Sequence, residues 1–305
     1  MPTNPSPVPP SSQPFFSRQE LALLVITVIW GTTFLIIRYA LEFSGPLFFV
    51  ALRFTFASVA MGLISITSLP KLTGRVLFAG IVIGVAVFGG YTLQTVGLQY
   101  ITASKSAFIT AAYVPAVPLL QWLITRRPPG RLMLAGVCCA FAGLILLAGP
   151  DGVSLGYGVG EIVTVLSALS IAIEILLISF FARNVDTRRI TVIQVVVVAV
   201  AAFALMPVMG ETIPPFSWTV LLSALVLGVA SGGIQFVMNW AQKSVPATKA
   251  TLIYAGEPVW AGIFGRMAGE RLPHTALLGG VLVVLGVIVS SVRRRKRMTD
   301  EIDEA

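Results

Sequence analysis

Charge is scarce in this chain: 11% of its residues are Asp, Glu, Lys or Arg, against about 25% in a soluble domain. Histidine occurs once, as His274, and cysteine twice, as the neighbours Cys138 and Cys139. No HExxH or CxxC spacing exists, so a zinc or iron centre would lack its ligands, and no cofactor is expected. Adjacent cysteines could close only a strained disulfide; they read as small packing residues and say nothing of redox compartment. A GxxxxGK[ST] phosphate loop is missing too, and no segment leaves room for a nucleotide-binding domain. Residues 1–14 hold six prolines and no charge. Such a segment cannot form a helix, and without a basic n-region it does not read as a signal peptide.

What is present, from Arg18 to Arg293, is a near-continuous series of apolar runs such as Leu21–Leu41, Leu77–Leu98, Leu132–Ala148 and Leu277–Val292. Each is long enough to cross a hydrocarbon core of ~30 Å as a helix. Breaks at charges, prolines and glycines predict ten spans, near 20–41, 46–68, 75–99, 104–125, 131–149, 157–182, 189–209, 217–241, 247–268 and 274–292. An even count puts both termini on one side. If that side is the cytoplasm, 16 of the 21 Lys and Arg residues collect there, Arg18, Arg126, Arg127, Arg188, Arg189 and Arg293–Arg297 among them. That is the positive-inside distribution. The net charge of +8 is therefore a matter of topology and lipid: Arg293–Arg297 suits anionic headgroups, and no nucleic-acid partner is expected.

The chain also repeats itself at an offset of 143 residues. Gly89-Gly90 falls on Gly232-Gly233, Gln99 on Gln242, Ala107 on Ala250, Pro115 on Pro258, and Gly136 and Gly143 on Gly279 and Gly286. The layout predicts a Pro-rich tail over 1–17, one five-helix unit over 18–149, a second over 150–292, and a basic then acidic tail over 293–305. Five is odd, so the second unit enters the bilayer inverted. The fold class expected is an all-α polytopic membrane protein, ten transmembrane helices in two inverted five-helix repeats. Inverted repeats with interrupted helices are the architecture of secondary transporters, which open one central cavity to either side in turn.

Particular residues carry a family resemblance. Trp30-Gly31-Thr32-Thr33-Phe34, followed by Arg53-Phe54, resembles the ten-helix EamA-type branch of the drug/metabolite transporter superfamily. So does the run Gly97 to Ser104 leading into Ala107-Phe108-Ile109 and Pro115. Ala247-Thr248-Lys249-Ala250, Glu257-Pro258, Gly269-Glu270, Gly279 and Gly286 extend the resemblance over nearly the whole chain. Within the branch the chain is most similar to bacterial YddG-type exporters of amino acids and related metabolites. The resemblance implies a bacterial inner-membrane protein with cytoplasmic termini, a cavity lined by spans 1, 3, 4, 6, 8 and 9, and export without ATP.

Several residues are candidates for that cavity. Glu257 sits deep in the ninth span, where an ionised carboxylate is costly unless paired or hydrated. It reads either as a cavity carboxylate that contacts a substrate amine or carries a proton, or as a structural partner for a basic residue or a free backbone group. Glu174, closer to the cytoplasmic end of the sixth span, is either functional or simply pairs with Arg183 or snorkels. Pro115 and Pro258 mark helix breaks that expose backbone to a cavity. Trp30, Tyr91, Tyr113, Tyr254 and Trp260 lie too deep for an interfacial belt and suit a cavity wall or inter-helix packing. Thr33, Gln94, Gln235 and Asn239 line the same cavity or bond between helices. Tyr39, Trp122, Tyr157 and Trp218 fit the belt, Arg53 reads as snorkelling to the near interface, and Glu270, Arg271 and His274 as interfacial. The paired glycines suit close contact within the chain or a homodimer.

The function expected is a secondary transporter exporting small amphipathic metabolites, amino acids foremost. A drug or organic-cation exporter is the alternative, favoured if Glu257 faces an aromatic cavity as an ionised carboxylate. A membrane-embedded enzyme would need clustered acids, histidines or a nucleophile–base pair, which the sequence does not supply.

Overall fold

The structure, a computed structural model, describes residues 16–68, 72–153, 158–181, 185–267, 269 and 274–291. Expectations for the Pro-rich tail, Lys71, Tyr157, Arg183, Glu270, Arg271 and Arg293–Arg297 lie outside these residues. Twelve helical segments follow in order: α1 (Arg18–Ala40), α2 (Pro46–Ser65), α3 (Gly74–Gly97), α4 (Ala103–Thr110), α5 (Tyr113–Thr125), α6 (Arg131–Val153), α7 (Val159–Phe181), α8 (Thr187–Val208), α9 (Trp218–Ala241), α10 (Ala247–Tyr254), α11 (Glu257–Met267) and α12 (Ala276–Ser291). The pairs α4–α5 and α10–α11 are single spans interrupted part-way, so twelve segments make ten rods. Among the described residues, seven stretches are long and apolar enough to cross a membrane outright, while α6 and α12 contribute shorter apolar stretches.

Side-chain polarity is distributed as a bilayer demands. Leu63, Phe180 and Leu277 point outward, 68%, 75% and 83% exposed, a surface stable only against lipid tails. Arg53, Glu174, Gln194, Gln235, Asn239 and Glu257 are buried inside, where they can satisfy one another. Helix starts are capped locally. Ser17 and Glu20 form a capping box at α1, Asp186 accepts from the Arg188 and Arg189 amides at α8, and Thr73, Thr102 and Ser217 cap α3, α4 and α9. Tyr39, Trp122 and Trp218 are exposed near helix ends, and His274 is exposed ahead of α12.

The two five-span units meet reciprocally. A Cβ on Gly143 would lie 2.6 Å from the Gly279 carbonyl oxygen, and one on Gly286 would lie 2.6 Å from the Gly136 carbonyl oxygen. Each glycine thus meets the equivalent of the other's partner, as a two-fold relation requires. α6 and α12 pack backbone to backbone through this contact, and the Cys139 thiol reaches the Leu282 carbonyl beside it, 3.4 Å away. The small-residue faces are therefore used up within one chain, and a homodimer would need other surface.

The two interruptions obey the same relation. α4 ends before Ala111–Ala112 and α10 before Ala255–Gly256, positions 144 residues apart, one more than the repeat offset. Pro115 and Pro258 stand in the first turns of α5 and α11 rather than at the breaks themselves. A proline there costs its own helix nothing but withholds the N–H that would continue the preceding one.

Candidate functional site

Both interruptions open onto one cavity of about 460 Å³ of empty space, its open side included. Eleven residues line it: Trp30 and Thr33 from α1, Gly90, Tyr91 and Gln94 from α3, Tyr113 from α5, Ile171 and Glu174 from α7, Met238 from α9, Tyr254 from α10 and Glu257 from α11. Those helices are the first, third, fourth, sixth, eighth and ninth spans.

The breaks decide what faces the cavity. Tyr113 is the first residue of α5 and Glu257 the first of α11. Each therefore hangs from a helix N-terminus, where free backbone N–H groups favour a carboxylate. The Tyr113 hydroxyl donates to Glu257 Oε2 at 3.3 Å. Glu174 lines the same cavity and accepts from the Gln235 side-chain amide at 2.9 Å. Much of the remaining wall is aromatic. Trp30 and Tyr254 pack edge to face with ring centroids 5.3 Å apart, and the Trp30 indole N–H points at the Tyr91 hydroxyl, 3.4 Å away. The Gln94 amide donates to Thr110 at 3.2 Å, and the Thr33 hydroxyl to its own helix at the Trp30 carbonyl, 2.8 Å away.

Three residues expected in the wall lie elsewhere. Gln235 and Asn239 sit one turn apart on α9, on the face turned to α8, where Gln194 meets both at 2.6 and 3.0 Å. Polarity in an apolar span marked them as interior without telling which interior face they occupy. Trp260 packs across α1, its Cβ 2.6 Å from where a Cβ on Gly31 would be, and stacks on Phe264 with centroids 6.4 Å apart. Arg53 does not snorkel. It is buried, donates from Nε to Ser231 at 2.7 Å, and lies 4.9 Å from the centre of the Tyr91 ring, on which it stacks as a cation. Glu174 accepts from the Gln235 amide; the partner expected for it, Arg183, lies outside the described residues.

Gly90, Ile171 and Met238 were missed as lining residues. An apolar side chain in an apolar span carries no mark of facing a cavity. Gln194 was missed as well, although its polarity within Val192–Val198 is the same signal that Gln235 gives.

The model of the EamA-like transporter family matches the chain twice, over residues 18–149 and 158–292. An uncharacterized transporter of Archaeoglobus fulgidus is 32% identical over 278 residues, 90% of this chain and 86% of its own length. The uncharacterized transporter YoaV of Bacillus subtilis is 23% identical, covering 91% and 98%. Protein PagO of Salmonella typhimurium is 24% identical, covering 92% and 95%. A solved crystal structure superposes with a TM-score of 0.74 at 18% identity, over 90% of this chain and 99% of that one; at that identity it speaks for the fold.

Proposed function

The chain belongs to the EamA-like transporter family, and we propose that it exports small amphipathic metabolites carrying an amino group, neutral and aromatic amino acids first among them. The observation that carries this reading is the cavity wall. It offers two buried carboxylates, Glu174 and Glu257, beside the rings of Trp30, Tyr91, Tyr113 and Tyr254, and no Lys or Arg stands among the lining residues. Carboxylates take an ammonium group, aromatic faces take both the ammonium and an apolar side chain, and Thr33 and Gln94 add polar contacts. Alternating access between the repeats moves the cargo. The distribution of basic residues along the sequence supports cytoplasmic termini, and a bacterial cytoplasmic membrane is part of the same proposal.

The same wall favours a second reading, efflux of organic cations, because Glu257 does face an aromatic cavity. Proteoliposome uptake of labelled amino acids, nucleosides and organic cations, with and without a pH gradient, separates the two. Counterflow of phenylalanine or leucine supports amino-acid export; counterflow of tetraphenylphosphonium alone supports the second reading. Nucleoside transport without either would overturn both.

A further inference from the structure

Glu174 and Glu257 share one cavity but not one environment. Behind Glu174 runs a chain of buried amides, Asn239 to Gln194 at 3.0 Å, Gln194 to Gln235 at 2.6 Å and Gln235 to Glu174 at 2.9 Å. Its direction is fixed from the far end. The Thr191 hydroxyl spends its proton on the Thr187 carbonyl, 2.7 Å away, so Thr191 Oγ1 can only accept. The Gln235 backbone carbonyl likewise can only accept. Asn239 faces both, at 3.0 and 2.9 Å, and therefore turns its NH2 to them and to Gln194, two hydrogens shared among three acceptors, with its own Oδ1 left without a partner. Gln194 must then answer with Oε1 and present its NH2 to Gln235. Gln235 accepts there with Oε1 and presents its own NH2 to Glu174. Every link places a donor toward the carboxylate, and aligned bonds of this kind polarise one another.

A second observation points the same way. Arg53 is buried, its Nη2 has no hydrogen-bond partner, and neither ion pair found among the described residues includes it. Its anchor, Ser231, lies one helical turn from Gln235 on α9. A buried cation with no carboxylate in contact calls for an anion in the same interior, and Gln235, one turn along the same face of α9, carries the hydrogen bond to Glu174. The other titratable groups lining the cavity are Tyr91 from α3, Tyr113 from α5, Tyr254 from α10 and Glu257 from α11, none of them basic.

We propose that Gln194, Gln235 and Asn239 are positioning residues which, with Arg53, hold Glu174 as the standing anion of the cavity. Glu174 is then the fixed dock for an ammonium group, and Glu257, held by one long bond from Tyr113, is left for proton exchange. This rests on the amine-bearing substrate proposed above, and the test separates the two.

Infrared spectra of purified protein labelled with 13C-glutamate report protonated carboxyls directly. At neutral pH, Glu174→Gln should remove no protonated-carboxyl band from the parent. Gln235→Met should create one, and the double variant Gln235→Met/Glu174→Gln should abolish it. Gln194→Met, one link further out, is read in the same way should Gln235→Met not fold. Loss of a parent band in Glu174→Gln, or an unchanged spectrum in the methionine variants, overturns the proposal. Phenethylammonium binding supplies the second arm. Its affinity should fall about tenfold or more in Gln235→Met, the scale of a hydrogen bond to a charged group, while 2-phenylethanol binds unchanged. An equal loss for 2-phenylethanol marks a merely structural role and overturns the proposal. Failure of phenethylammonium to bind the parent counts against the amine-bearing substrate alone, and the infrared arm then decides.

Discussion

The fourth and ninth spans break at related positions, yet the residues at the open ends differ. Val114 and Pro115 follow one break where Glu257 and Pro258 follow the other. The same contrast runs through the whole molecule. At the offset of 143, Glu174 stands opposite Gly31, Gln194 opposite Ala51, Gln235 opposite Thr92 and Asn239 opposite Val96. The second repeat thus supplies both carboxylates and the amide chain, and the first supplies Arg53, Trp30, Tyr91 and Tyr113. Packing is unequal too. Gly90 is closed against α7, where Ser167 bonds its carbonyl at 2.7 Å, but Gly233, its counterpart in α9, has nothing within 4 Å of an added Cβ. Duplication supplied two similar scaffolds. Transport chemistry needs them to differ in charge, and alternating access needs them to differ in closure.

Where the repeats agree, damage should be greatest. Gly143→Leu and Gly286→Leu drive a side chain into a facing backbone carbonyl, at a cost no smaller than the about 1–3 kcal/mol of an overpacked core. Both should abolish monodisperse protein in size-exclusion profiles, while Gly233→Ala should leave the profile unchanged. Tolerance of one leucine and not the other would break the two-fold reading of this contact.

The carboxylates come next, because they embody the asymmetry. Glu257→Gln keeps size and hydrogen bonding but removes titration. It should retain substrate counterflow yet lose any response of net transport to an imposed pH difference. Glu174→Gln should instead lose counterflow of amine-bearing substrates at every pH. Identical behaviour of the two variants would erase the division of labour between them.

How much of this was legible beforehand depends on what each feature leaves in the sequence. Span count, inversion and the α6–α12 contact follow from hydropathy, basic residues at span ends and glycine spacing, all of them local marks. Trp30, Tyr91, Tyr113, Glu174, Tyr254 and Glu257 were legible as interior because polar or amphipathic groups deep in a bilayer need partners. Facing was not legible. Asn239 and Met238 are neighbours on α9, but Met238 lines the cavity and Asn239 bonds to α8, a choice made by helix rotation against partners far away in sequence. Arg53 misled for a related reason. A long basic side chain within reach of an interface can turn either way, and here Ser231 and the Tyr91 ring draw it inward.

The aromatic wall should respond more gently. Trp30→Ala and Tyr91→Ala remove rings from the lining without removing charge, so the ratio of large to small substrates transported should shift severalfold while folded protein persists. Uniform loss of expression in both would instead assign these rings to packing.

The smallest effects are expected at two ion pairs that the repeat relation places at opposite ends of the bundle. Lys105, at the start of α4, meets Glu161, at the start of α7, at 2.9 Å. Lys249, at the start of α10, pairs with Glu20, at the start of α1. Successive spans run antiparallel, so the first pair lies at the end away from the chain termini and the second at the end that holds them. Each ties one repeat to the other. Both are partly exposed, with side chains 10–20% accessible, and such pairs are individually weak. Their loss should shift a balance between states rather than abolish transport. In a cysteine-free background carrying Thr33→Cys, Glu161→Gln should raise labelling by an impermeant maleimide a few-fold from the end remote from the termini. Lys249→Gln should raise it from the terminal end. Labelling that rises from the same end in both variants, or from neither, would show that the two pairs are surface contacts with no part in closing the cavity.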